Sequence, residues 1–150
     1  MIRSFLAALM LIPTATFAHD FKIGDLSIAH PVAKAVSETA MTSAGYLSIT
    51  NTGDTDDALI AVRAGFPRVE MHDTMTNDDG VASMMQMMSV PIPASETVTF
   101  ERGAKHVMFM GLRGVALQEG HKVNAVLVFE NAGELMIQFN VEDVKAAHDH

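Results

Sequence analysis

The chain has 150 residues, 49% hydrophobic and 19% charged, which fits one compact domain and excludes a disordered or collagen-like chain. Lys and Arg number 10 against 18 Asp and Glu, a formal charge of −8 that argues against nucleic acid or an anionic membrane as the main partner and favours cations. Without Cys there is no disulfide, thiolate metal site or cysteine nucleophile, whereas 12 Met outnumber the 8 Phe and 1 Tyr in a chain that lacks Trp.

The first segment reads as an address. Arg3 is followed by the apolar run Phe5–Ile12, too short to span a bilayer, then Pro13 and the small-x-small site Thr16-Phe-Ala18. A signal peptide over 1–18 is expected, with cleavage leaving His19 at the head of a 19–150 domain. No later run has spanning length, so the expectation is an exported, periplasmic protein with no integral membrane segment.

From residue 20 onward the apolar positions recur at spacing two in short runs, the pattern of an antiparallel all-β domain. Eight strands are expected: Phe21–Ala29, Gly45–Asn51, Ala58–Arg63, Arg68–Asp73, Thr97–Glu101, His106–Leu112, Lys122–Glu130 and Glu134–Val141. Such a set suggests a Greek-key β-sandwich. Pro91 and Pro93 confine Val90–Ala94 to an edge or loop. Met75–Met88 is the least regular part, with an Asp79-Gly80 hairpin signal. Glu142–His150 reads as a polar tail.

Strand alternation sorts the chemistry by face. In Val69–Asp73, Val69 and Met71 share one face, while Glu70 and His72 share the other. In His106–Leu112, Val107 and Phe109 point inward, and His106, Met108 and Met110 line up opposite. A His-x-Met pair on a strand places imidazole and thioether roughly 6–7 Å apart at their bases, close enough for the tips to meet one ion. Thioether is a soft, uncharged donor and imidazole a borderline one, so the pair favours Cu(I) over Mg, Ca or Mn, while zinc prefers thiolate, imidazole or carboxylate. Methionine in a core and histidine at a surface are the commoner structural uses of these residues. Met84-Met-Gln-Met-Met88 weighs against that reading, because four thioethers in five residues are hard to bury together.

The spacing resembles the periplasmic copper chaperone family PCuAC, whose pattern is His, an optional Met, ten residues, Met, twenty-one residues, His, any residue, Met. Here it falls on His72, with Asp73 in the optional slot, then Met84, His106 and Met108. Val69-Glu-Met-His72, Ile92-Pro-Ala94, Gly45–Asn51 and Val126–Phe129 also look like the family. The chain departs from it where His30-Pro31 is followed by Val32 and Ala33 in place of an aromatic and a basic residue. The resemblance implies a cupredoxin-like β-sandwich binding Cu(I) through His72, Met84, His106 and Met108 on an exposed rim, and a monomer is expected. It also implies transfer toward the binuclear copper centre of cytochrome c oxidase subunit II, alongside a thiol-bearing assembly protein. Protonation of the imidazoles competes with the metal, and the sulfurs are indifferent to pH.

Met85 and Met110 are candidate auxiliary ligands. His19, with its α-amino group, and His148 and His150 could form a second, nitrogen-rich Cu(II) site. His30 and His121 read as structural or surface residues, and the Asp54, Asp56 and Asp57 cluster lacks EF-hand spacing. A blue-copper electron carrier is excluded for want of a thiolate. The rival classes are a metal-free exported interaction module presenting Met84–Met88 as a greasy surface, a copper store, and an oxidative copper enzyme built on His19.

Overall fold

The computed structural model describes residues 20–144. The expected leader over 1–18, His19, His148 and His150 therefore lie outside the described residues. The first seven strands are β1 (Phe21–Ile23), β2 (Leu26–Lys34), β3 (Thr42–Asn51), β4 (Asp57–Ala64), β5 (Arg68–Thr76), β6 (Ala82–Met87) and β7 (Val90–Ile92). Four more follow: β8 (Thr97–Phe100), β9 (His106–Met110), β10 (Lys122–Phe129) and β11 (Gly133–Glu142). Among the described residues there is no helix, as the period-two pattern requires.

The strands join into one open mixed sheet in the order β6-β5-β9-β3-β2-β11-β10-β4-β7, with β1 on β2 and β8 on β3. The β2–β11 pairing is parallel and every other is antiparallel. The architecture is the expected all-β, cupredoxin-like one. Its core takes a phenylalanine from each of the last four strands, Phe100, Phe109, Phe129 and Phe139, all fully buried. Phe139 meets Phe109 edge-on at 5.5 Å, and Phe66 packs on Phe109 at 5.2 Å with the rings tilted by 46°. Each such ring contributes about 1.5–3 kcal/mol by leaving water.

This packing fixes β9. Its inward residues Val107 and Phe109 are sealed in the core, which commits His106, Met108 and Met110 to the other face. Gly45 on β3, opposite Val107, makes room for the rings: a Cβ there would lie 3.0 Å from Phe109 and 3.1 Å from Phe139.

Among the described residues, eleven strands replace the eight expected. Phe21–Ala29 is two strands folded at Gly24-Asp25, and β2 continues past Ala29 by a register shift around His30, which holds φ 50°. Val90–Ile92 is a strand at the sheet's edge, where the missing Pro91 N–H is tolerated. Met75–Met88, expected to be irregular, is largely regular. β5 runs on to Thr76, turns through Asn77–Gly80 and returns as β6. Asn77 Oδ1 accepts from the N–H groups of Asp79 and Val81, and Gly80 takes φ +78°, so the turn chemistry closes the hairpin without help from packing.

Candidate metal centre

β5 lies between β6 and β9, and its pairings bring three distant segments onto one face. His72 stands directly opposite His106 on β9 and opposite Gln86 on β6. Glu70 stands opposite Met108, and Thr74 opposite Met84. Since paired residues share a face, His72, His106, Met108 and Met84 surround one place on the sheet, with Met108 and Met84 at diagonal positions about the histidine pair. The imidazole centroids are 5.8 Å apart, tilted by 53°.

Each imidazole is held by a group that can only accept a hydrogen bond. His72 Nε2 lies 2.7 Å from Glu70 Oε2, and His106 Nδ1 lies 3.0 Å from the Ala104 carbonyl. An ionised carboxylate and a carbonyl both demand the proton on that nitrogen, so His72 Nε2 and His106 Nδ1 donate and the other two nitrogens carry lone pairs. Those two, His72 Nδ1 and His106 Nε2, are buried without a hydrogen-bond partner. Leaving such atoms unpaired costs about 1–3 kcal/mol apiece, a cost that a metal ion removes by accepting both lone pairs.

The histidines do not stand on an exposed rim as expected. His106 is 5% exposed and the His72 side chain 14%, on interior strands flanked by neighbours on both sides. Met108 is half-buried, and only Met84, at 60%, is open to solvent on the edge strand. Met110 faces Arg68, whose Nε and Nη2 lie 3.2 and 3.0 Å from its sulfur. Met85 pairs with Asp73 and so occupies the opposite face of the hairpin. His30 and His121 are exposed and remote in the strand order.

Three residues of the site were given no role by the sequence reading. Glu70 orients His72, Arg68 holds the other Glu70 oxygen at 3.0 Å, and Ala104 fixes the His106 ring through its backbone. Glu-x-His on a strand was the available signal for the first, since alternation already places both on one face. Among the described residues no three His, Asp or Glu side chains form a metal-holding group, so a third and fourth donor here would be thioethers. A set of two lone-pair imidazoles and neutral sulfurs suits a soft monovalent ion such as Cu(I).

Comparison with known proteins agrees with the geometry. The apo PCuAC domain from PmoF1 superposes with a TM-score of 0.71 at 27% identity, covering 83% of this chain and 98% of that domain. The copper-bound PCuAC domain from PmoF2 gives 0.69 at 27% identity, covering 83% and 97%. Among curated proteins, "Putative lipoprotein Lxx21020" of Leifsonia xyli subsp. xyli is 26% identical over 110 residues, 72% of this chain. The match spans 65% of that relative's length. No helix among the described residues is long and apolar enough to cross a membrane. The family model "Putative lipoprotein LpqE-like" matches residues 26–141, from β2 to β11, and the chain belongs to that family, related to the copper-handling PCuAC domains whose fold it carries.

Proposed function

We propose that this protein is a periplasmic copper chaperone that carries Cu(I) on His72, Met84, His106 and Met108 and gives it up to a partner. The observation that carries the reading is the pair of buried, unpartnered nitrogens, His72 Nδ1 and His106 Nε2, on directly opposed residues. The likeness to a copper-bound PCuAC domain supports copper as the cargo.

The donor set suits delivery better than storage. Without a thiolate, the ion is held by two nitrogens and weak sulfur donors, which stronger ligands of a recipient displace. Displacement would begin at Met84, the exposed donor on the edge strand, and proceed inward to the two histidines. The recipient in this reading is the binuclear copper centre of cytochrome c oxidase subunit II or a thiol-bearing assembly protein. With no Cys, the carrier cannot reduce a recipient's disulfide, so a separate thiol reductant keeps such ligands competent. The protein acts as a binder and not as an enzyme.

An anaerobic Cu(I) titration against a competing chelator tests the site. The expected result is one tight equivalent weakened at least tenfold by His72→Ala and by Met108→Ala. Mixing the loaded protein with an apo oxidase copper domain should then move Cu(I) to that domain. Binding indifferent to both substitutions would overturn the carrier reading, and the absence of Cu(I) binding would leave a metal-free interaction module.

A further inference from the structure

The face of the β5–β6 hairpin turned away from His72 carries a second set of sulfurs. Met71 pairs with Met87, Asp73 with Met85, and Met75 with Ser83, so Met71, Met87, Met85 and Met75 form one stripe. The stripe begins in the core, where Met71 is buried and Met87 packs against it. It then runs outward along a hairpin that overhangs the core, where Met85 is 58% and Met75 54% exposed.

Exposed thioethers on an edge strand are a poor choice for solubility, since such an edge offers unpaired backbone and apolar surface to other chains. They are a good choice for a soft cation. Met87 lies four positions along β6 from Ser83, the partner of Met75, roughly 13 Å along the strand and too far to share an ion with Met75, and it stays with the core. Met75 is diagonal to Met85 across the pair, about 7–8 Å away. Two flexible side chains of this length close that gap, and two neutral sulfurs match Cu(I). Asp73, on the same face between the sulfurs and the core, adds a carboxylate shared with Lys105 at 3.5 Å.

We infer that Met75 and Met85 form a second Cu(I) site, made of thioethers alone, on the opposite face of the hairpin from the histidines. Met84 and Met85 are successive residues of an edge strand and point to opposite sides, so an ion passes from one site to the other around the free edge of β6 without crossing the sheet. The sulfur site is the weaker and more exposed of the two, which makes it a loading station. This inference rests on the reading of copper as cargo.

The test is an anaerobic Cu(I) titration of the full chain against a competing chelator. Wild type takes two equivalents, and Met75→Leu/Met85→Leu takes one whose affinity stays within twofold of the wild-type first equivalent. Both positions are exposed and leucine keeps the volume, so folding is preserved. In His72→Ala/His106→Ala the surviving equivalent shows only sulfur neighbours by X-ray absorption and disappears when the two leucines are added. A single wild-type equivalent, a second equivalent that persists in the leucine variant, or nitrogen around the surviving ion overturns the inference. Failure of the carrier reading looks different, because His72→Ala would then leave the first equivalent intact.

Discussion

Glu70 is the residue on which the histidine site turns. One carboxylate oxygen takes the His72 Nε2 proton and the other is held by Arg68, so the ring presents Nδ1 to the site in a fixed tautomer. Removal of such a supporting carboxylate costs a metal site 10–100-fold in affinity. Glu70→Ala should therefore weaken Cu(I) by about that factor, and Glu70→Gln, which keeps an acceptor for Nε2, should weaken it less; competition titration of both variants reads the difference. Met110→Leu should change affinity less than about threefold, since its sulfur already faces the Arg68 guanidinium. Much of the proposed site was legible in the sequence: alternation put Glu70 with His72 and His106 with Met108, and the ligand spacing singled out Met84. The direct opposition of His72 and His106, and their burial, were not legible, because both depend on a β5–β9 register that no local pattern encodes.

At the scale of strands, the sequence reading succeeded for most strands with a buried face and failed at β6, which has none, and at the β1–β2 turn. Strands β3, β4, β5, β8, β9, β10 and β11 all alternate against the core and were placed within a few residues. β6 escaped because Ala82–Gln86 is exposed on both faces, so its apolar content follows no period and only its turn betrays it. The β1–β2 turn was missed because Phe21, Ile23, Leu26 and Ile28 keep an apolar rhythm through it. β9 reaches its place through a close approach to β3 at Gly45, which gives an element-scale prediction. Gly45→Ala places a Cβ at 3.0 Å from Phe109, and the ring must shift against Phe139 and Phe66. Overpacking of this kind costs about 1–3 kcal/mol, to be measured by urea unfolding. Because the ring belongs to the strand that presents His106 and Met108, copper affinity should fall along with stability.

For the whole molecule, the Tyr46 proton and copper bias folding in the same direction, each because the folded state binds it better. Burial pushes the Tyr46 phenol above its ordinary 10.0, with Arg102 pulling partly back. The folded state thus keeps this proton to higher pH than the unfolded chain does, and Tyr46 should lower stability as pH rises from about 10 through the folded value, an effect that Tyr46→Phe removes from the alkaline unfolding curve. Copper acts in the same sense, because the opposed imidazoles exist as a site only after β5 and β9 pair. An ion that binds the folded state alone adds RT ln(1 + [L]/Kd), about 2.7 kcal/mol at a free concentration 100 times Kd. The same ion also relieves two buried nitrogens that lack partners in the apo protein. Thermal unfolding under anaerobic conditions should therefore shift upward with Cu(I) in the wild type and by far less in His72→Ala. Glu70→Ala should lie between them, since it leaves both imidazoles present but frees one from its orienting carboxylate. An equal upward shift in all three proteins would place the stabilising ion elsewhere, on sulfurs or termini remote from the β5–β9 pairing.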